Sequence, residues 1–119
     1  MSAVLMSAVT THVLDAGAGV PAVGVGVRLA RLGDSGEEVA EPVADGVTDG
    51  DGRITDLGPE SLEPGRYRLT FATGEWFAAA DRATFYPQVV VIFSLDADRP
   101  HHHVPLLLSP FAYSTYRGS

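Results

Sequence analysis

The most constraining feature of this sequence is its rhythm: apolar residues alternate with polar residues or glycine in short runs, and most runs end at Gly, Pro or Asp-Gly. Alternation with a period of two places one set of side chains on each face of a β-strand. In Val9 to Leu14, Val9, Thr11 and Val13 fall on one face, and Thr10, His12 and Leu14 on the other. Val23 to Leu29 sets Val23, Val25, Val27 and Leu29 against Gly24, Gly26 and Arg28, and two glycines on one face predict close approach by another group. Val39 to Val47 is a weaker strand that Pro42 confines to an edge or a bulge. Arg66 to Phe71 presents Tyr67, Leu69 and Phe71 on one side, while Val89 to Leu95 is apolar on nearly both, as in a central buried strand. His102 to Leu108 and a last strand around Tyr113 to Arg117 complete the set. The stretch Glu75 to Thr84 departs from the rhythm: Trp76, Ala79, Ala80 and Ala83 recur at helical spacing, predicting one short helix. About eight short strands with turns at nearly regular spacing specify a β-sandwich, and 119 residues supply one domain with one core.

Residue usage narrows the chemistry. The chain has no cysteine, and all eight basic residues are arginine, so disulfides, thiolate chemistry and a lysine Schiff base are excluded. A formal net charge of -7 with no basic stripe argues against nucleic acid and anionic membrane partners. No run approaches the roughly 20 apolar residues of a membrane span, and the opening MSAVLMSAV lacks the basic region of a secretory signal. A cytoplasmic protein is expected, with residues 1–6 a disordered extension, Met6 an alternative start, and residues 7–119 a single domain.

The stretch His101 to Ser119 reverses the overall charge, holding three of the four histidines, two of the four tyrosines and Arg117 with no acidic side chain. His101 and His103 share a strand face, so with His12 they are candidates for a three-histidine zinc centre, although no carboxylate lies at matching spacing and a solvated strand entry has the same pattern. Asp49-Gly50-Asp51-Gly52 resembles the start of a calcium loop, but Arg53 stands where a third oxygen ligand belongs, which favours a hairpin turn. Ser114 lies in a strand, without the G-x-S-x-G elbow of a serine nucleophile. The remaining option is hydrolysis without a covalent intermediate, in which an imidazole activates water and an arginine holds the oxyanion.

Four segments carry a family resemblance: TTHVLD with the following G-x-PA (Thr10 to Ala22), DGR (Asp51 to Arg53), the GEWF and FYP pair around the helix, and HHHVPLLLSPFAYSTYRGS. Together they resemble the 5-hydroxyisourate hydrolases of the transthyretin-like family. The resemblance implies an all-β, transthyretin-like (prealbumin-like) antiparallel sandwich of seven to eight strands with one short helix. It implies hydrolysis of 5-hydroxyisourate to 2-oxo-4-hydroxy-4-carboxy-5-ureidoimidazoline in urate degradation, with no metal and no organic cofactor. Carried over by position, His12, Arg53, His103 and Ser119 are the catalytic residues, and His12, Arg53, Tyr116, Arg117 and Gly118 contact substrate, with His101 behind them. Members are homotetramers, dimers of dimers, with sites where subunits meet, so losing Tyr116 to Ser119 is expected to remove most activity and leave the fold. His102 in place of the usual tyrosine, Trp76 where Tyr is common, and the short DAGAG loop are departures. The rival readings are a transthyretin-like carrier of an aromatic ligand and a generic adhesion sandwich; neither needs a water-activating base.

Overall fold

The computed structural model describes residues 6–39 and 42–118, so Ser119 and residues 1–5 of the expected extension lie outside the described residues. In chain order the elements are β1 (Val9–Asp15), β2 (Val20–Pro21), β3 (Gly26–Leu32), β4 (Ala44–Val47), β5 (Arg53–Ile54), β6 (Gly65–Phe71), α1 (Thr73–Ala79), β7 (Val89–Leu95), β8 (His102–Ser109) and β9 (Ala112–Thr115). One sheet has the order β2-β1-β8-β9, with β5 also paired to β1, and the other has the order β4-β3-β6-β7. Every pairing is antiparallel except β1 with β8, which runs parallel.

The expected alternation builds the core. Val9 and Val13 from β1, Val104, Leu106 and Leu108 from β8, and Leu29, Tyr67, Leu69 and Phe71 from the facing sheet are buried between the layers. At about 1.5–3 kcal/mol for each large side chain removed from water, this layer dominates the favourable side of folding. Thr10, His12 and Leu14 are thereby turned to the outer face of the first sheet.

Four expectations shift. The predicted strand from Val23 begins at Gly26, because Gly24 takes a left-handed φ of 89° and Val23 is spent on a turn whose carbonyl accepts the Trp76 indole N–H at 2.7 Å. The two glycines of that run meet no close neighbour: a Cβ at Gly26 would lie at an ordinary contact distance of 3.8 Å from that of Ala72, and one at Gly24 would meet nothing within 4 Å among the described residues. Strand β7 is an edge, with Ile92 59% exposed, so its two-sided apolar pattern reflects an open flank instead of burial within a sheet. The helix is earlier and shorter than its periodicity suggests; Thr73 and Phe77 face inward, and Ala79 and Ala80 are exposed. Among the described residues no helix is long and apolar enough to cross a membrane.

The helix is tied to β1 through one ion pair. Arg82 Nη1 donates to Asp15 Oδ2 at 2.8 Å, the Ala18 N–H donates to Asp15 Oδ1 at 3.1 Å, and the guanidinium lies 4.8 Å from the Phe77 ring centre. The Arg82 hydrogen bond, aided by backbone N–H groups, holds the Asp15 carboxyl below its ordinary value of 3.8. A lowered folded pKa means stabilisation that is complete above the unfolded value and lost as pH falls through the folded one. Thermal melts at falling pH should therefore show a steeper loss below about pH 4 in the wild type than in Asp15→Asn, which at neutral pH should be less stable by about 1.5–3 kcal/mol.

Candidate active site

Strand register assembles the predicted residues from three separate parts of the chain. Arg53 on β5 stands opposite His12 on β1, and Thr10 on β1 stands beside His103 on β8, with His12 beside Pro105. Side chains at these positions share the outer face, so His12 lies next to Arg53 and one diagonal step from His103. Gly118 closes the row, bridging to His103 through its N–H donated to the His103 carbonyl at 2.8 Å.

Arg53 owes its place to the Asp-Gly turn. Asp49 Oδ1 accepts the N–H groups of Asp51 at 2.9 Å and Arg53 at 3.0 Å, and the Asp49 N–H donates to the Arg53 carbonyl at 3.0 Å. These N–H donors hold the Asp49 carboxyl below its ordinary value, with the charges of Arg53 and His12 adding to the effect. Gly52 turns the chain at φ 74°, and a Cβ there would lie 2.5 Å from the Val13 carbonyl oxygen. Gly52→Ala should thus be destabilising by at least about 1–3 kcal/mol, seen as a lower melting temperature, with strain and clash both acting at Arg53's support.

Around His103 the packing is tight. Thr10 Oγ1 sits within hydrogen-bond distance of His103 Nδ1 (2.8 Å) and His101 Nε2 (2.9 Å), and the two rings are nearly parallel with centres 6.4 Å apart. On the other flank Gly118 comes so close that a Cβ would stand 2.6 Å from His103 Cδ2. Burial first, and then the charges of Arg53, His101 and His12, hold His103 below its ordinary value of 6.5. His103 is therefore a neutral imidazole at pH 7, with Nδ1 engaged and Nε2 free of hydrogen bonds among the described residues.

His103 lines two hollows. One of about 200 Å³ is lined by Met6, Thr10, Arg53, Thr55, His101 and His103, so Met6, part of the expected extension, touches the site. The other, about 260 Å³, adjoins His103 through Phe93, Thr115, Tyr116 and Arg117. Arg53 and His101 line the first hollow with His103, Tyr116 and Arg117 line the second with it, and the predicted His12 lines neither. His102 is turned inward, as its position predicts; it is buried, and its Nε2 accepts the Asp96 N–H at 3.2 Å. Thr10 and Asp49 are the residues that the sequence reading leaves out. Strand alternation does place Thr10 on the face of His12, but no sequence signal specifies its contact with two imidazoles.

The sequence profile of the HIUase/Transthyretin family matches residues 9–118. The chain is 46% identical over 118 residues to the 5-hydroxyisourate hydrolase of Caulobacter vibrioides, covering 96% of this chain and 100% of that protein. Its fold is similar to the solved 5-hydroxyisourate hydrolase of Klebsiella pneumoniae, with a TM-score of 0.82, 40% identity, and 95% and 100% of the two chains covered. It is also similar to sea bream transthyretin in complex with thyroxine, with a TM-score of 0.84, 31% identity, and 93% and 94% covered.

Proposed function

Because the chain belongs to the HIUase/transthyretin family, we infer that it acts as the hydrolase of that family and opens 5-hydroxyisourate in urate degradation, giving 2-oxo-4-hydroxy-4-carboxy-5-ureidoimidazoline. Backbone shape alone does not separate enzyme from carrier, since the two solved folds match almost equally well. The observation that carries the reading is the row Arg53, His12, His103 on one sheet face. A carrier has no use for a neutral imidazole beside a guanidinium; hydrolysis by activated water uses both.

His103, with His12 diagonal to it, orients water and takes its proton at the amide-type carbonyl of the six-membered ring. A positioned base of this kind supplies about 10²- to 10⁴-fold. Arg53 binds the carbonyl oxygen and stabilises the charge that develops there, which suits a planar guanidinium that stays ionised. Tyr116, Arg117 and Gly118 contact the ring, Ser119 completes that segment, and His101 stands behind His103. No metal or organic cofactor enters this scheme.

Assembly into a homotetramer, a dimer of dimers, fits the open edges β7 and β9 and the exposed Ile92, Phe111, Tyr113 and Tyr116. Neighbouring subunits would then bring the Tyr116 segment and the Arg53 hollow into one site. Light scattering during gel filtration should give four times the 12.5 kDa chain mass for the wild type and a smaller species for Ile92→Asp.

The decisive assay generates 5-hydroxyisourate freshly with urate oxidase and follows its ultraviolet absorbance. The protein should accelerate the decay; decay at the spontaneous rate would remove the hydrolase reading.

A further inference from the structure

Thr10 has no part in the scheme above, yet its hydroxyl lies between two imidazoles and decides what each can do. Thr10 is 2% exposed, and its Oγ1 meets His101 Nε2 at 2.9 Å and His103 Nδ1 at 2.8 Å. A hydroxyl carries one hydrogen and two lone pairs, so between two neutral rings it either donates to one ring nitrogen and accepts from the other, or accepts from both and turns its hydrogen elsewhere. Accepting from both would leave the hydroxyl hydrogen of a nearly buried residue without either imidazole as partner, so two arrangements use the hydrogen in the contacts seen. In the first, His103 Nδ1–H donates to Thr10, and Thr10 donates to His101 Nε2, which leaves a lone pair on His103 Nε2 and puts the His101 proton on Nδ1. In the second the direction is reversed, His101 Nε2–H donates to Thr10, Thr10 donates to His103 Nδ1, and His103 Nε2 carries the proton.

The two arrangements differ in reactivity. His103 Nδ1 is occupied in both, so only Nε2 is available to water, and it has a lone pair only in the first. We propose that Thr10 is a positioning residue that couples the tautomers of His101 and His103 and holds His103 with its proton on Nδ1 and its Nε2 open as the base. The proposal rests on the hydrolase reading for its consequence, but the tautomer itself is a property of the resting protein.

The surroundings support a lock. Gly118 presses the far edge of the His103 ring, so the ring cannot tilt away from Thr10 without meeting backbone. The parallel register that sets Thr10 beside His103 also fixes the Cα positions of both residues. Thr10 is only 2% exposed, and two ring nitrogens lie within hydrogen-bond distance of its hydroxyl, so its hydrogen is best satisfied by one of them. A specific tautomer is worth much in such a site, because the wrong one presents N–H where a lone pair is needed.

The test compares Thr10→Val, which keeps the shape and loses the hydroxyl, with Thr10→Ser, which keeps the hydroxyl. Nitrogen-15 NMR of the imidazoles of the intact wild type should show His103 protonated at Nδ1 and bare at Nε2, with His101 the same, as the first arrangement requires. Thr10→Val should lose that preference and lower kcat at least about 10-fold with KM changed little, while Thr10→Ser restores both to within about 3-fold. A wild-type His103 protonated at Nε2 overturns the proposal, as does a His101 protonated at Nε2 beside a His103 protonated at Nδ1, or a Thr10→Val protein with wild-type kcat and tautomers. If Thr10→Val does not fold, the wild-type spectrum still decides. Failure of the absorbance assay with the expected spectrum would remove the substrate reading and leave the coupling standing.

Discussion

His103→Asn should lower turnover of 5-hydroxyisourate by at least about 10²-fold, and Arg53→Ala should do the same, with thermal melts close to the wild type in both cases. The asparagine retains a polar group near Thr10 but offers water no basic nitrogen, so the loss reports proton transfer. Arg53 is exposed, at the end of a two-residue strand, and its backbone bonds to Asp49 do not depend on its side chain. Its removal should therefore act on the reaction and not on the turn. The pH profile of the wild type gives a second reading of the same group. His103 is held below 6.5 chiefly by burial, so the neutral, active form persists into weakly acidic solution and activity falls only as pH drops through that lowered value. Variants with unchanged turnover, or activity falling at a pH above 6.5, would count against His103 as the base.

Gly118→Val should be nearly as costly for activity while sparing the fold. No side chain fits at position 118: a Cβ would stand 2.6 Å from His103 Cδ2 and 3.2 Å from Pro105 Cγ. The residue follows β9 and contributes no side chain to the core, so its replacement leaves the sandwich intact. The His103 ring must move instead, and it is held on its other side by Thr10 at 2.8 Å. A displacement of about 1 Å in a reacting group can cost on the order of 10²-fold, so kcat should fall by 10- to 100-fold, roughly, with the melting temperature little changed. A variant with full activity would show that the close approach of Gly118 does not position the ring.

Much of this fold is legible because burial on one side of a sheet leaves a two-residue period. That signal places β1, β6 and β8 within a residue or so and turns His102 away from His101 and His103. It is silent on neighbours. Val89 to Leu95 is apolar on both faces whether another strand or another surface covers it, and only the sheet order reveals an edge. The helix misleads for a related reason: alanines at regular spacing mark a helical period, while Phe77 and Thr73 carry the burial. At the site, the identities of His12, Arg53 and His103 come from resemblance, and their meeting comes from pairing between strands distant along the chain. Thr10 and Gly118 act through a hydroxyl contact and through the lack of a side chain, neither of which leaves a periodic trace.

The parallel pairing of β1 with β8 has a consequence for how the molecule comes into being. Thr11 donates its hydroxyl to the Val104 carbonyl across 93 positions of chain, and the whole inner seam of the first sheet spans a similar separation. During synthesis β1 emerges early and can find β2 and β5, but its other flank has no partner until nearly everything else has left the ribosome. Such long-range closure is slow, and an unpaired strand edge invites association with other chains while it waits. The sheet that bears His12, Thr10 and His103 is thus completed last, so catalytic competence and completion of folding coincide in a single late event.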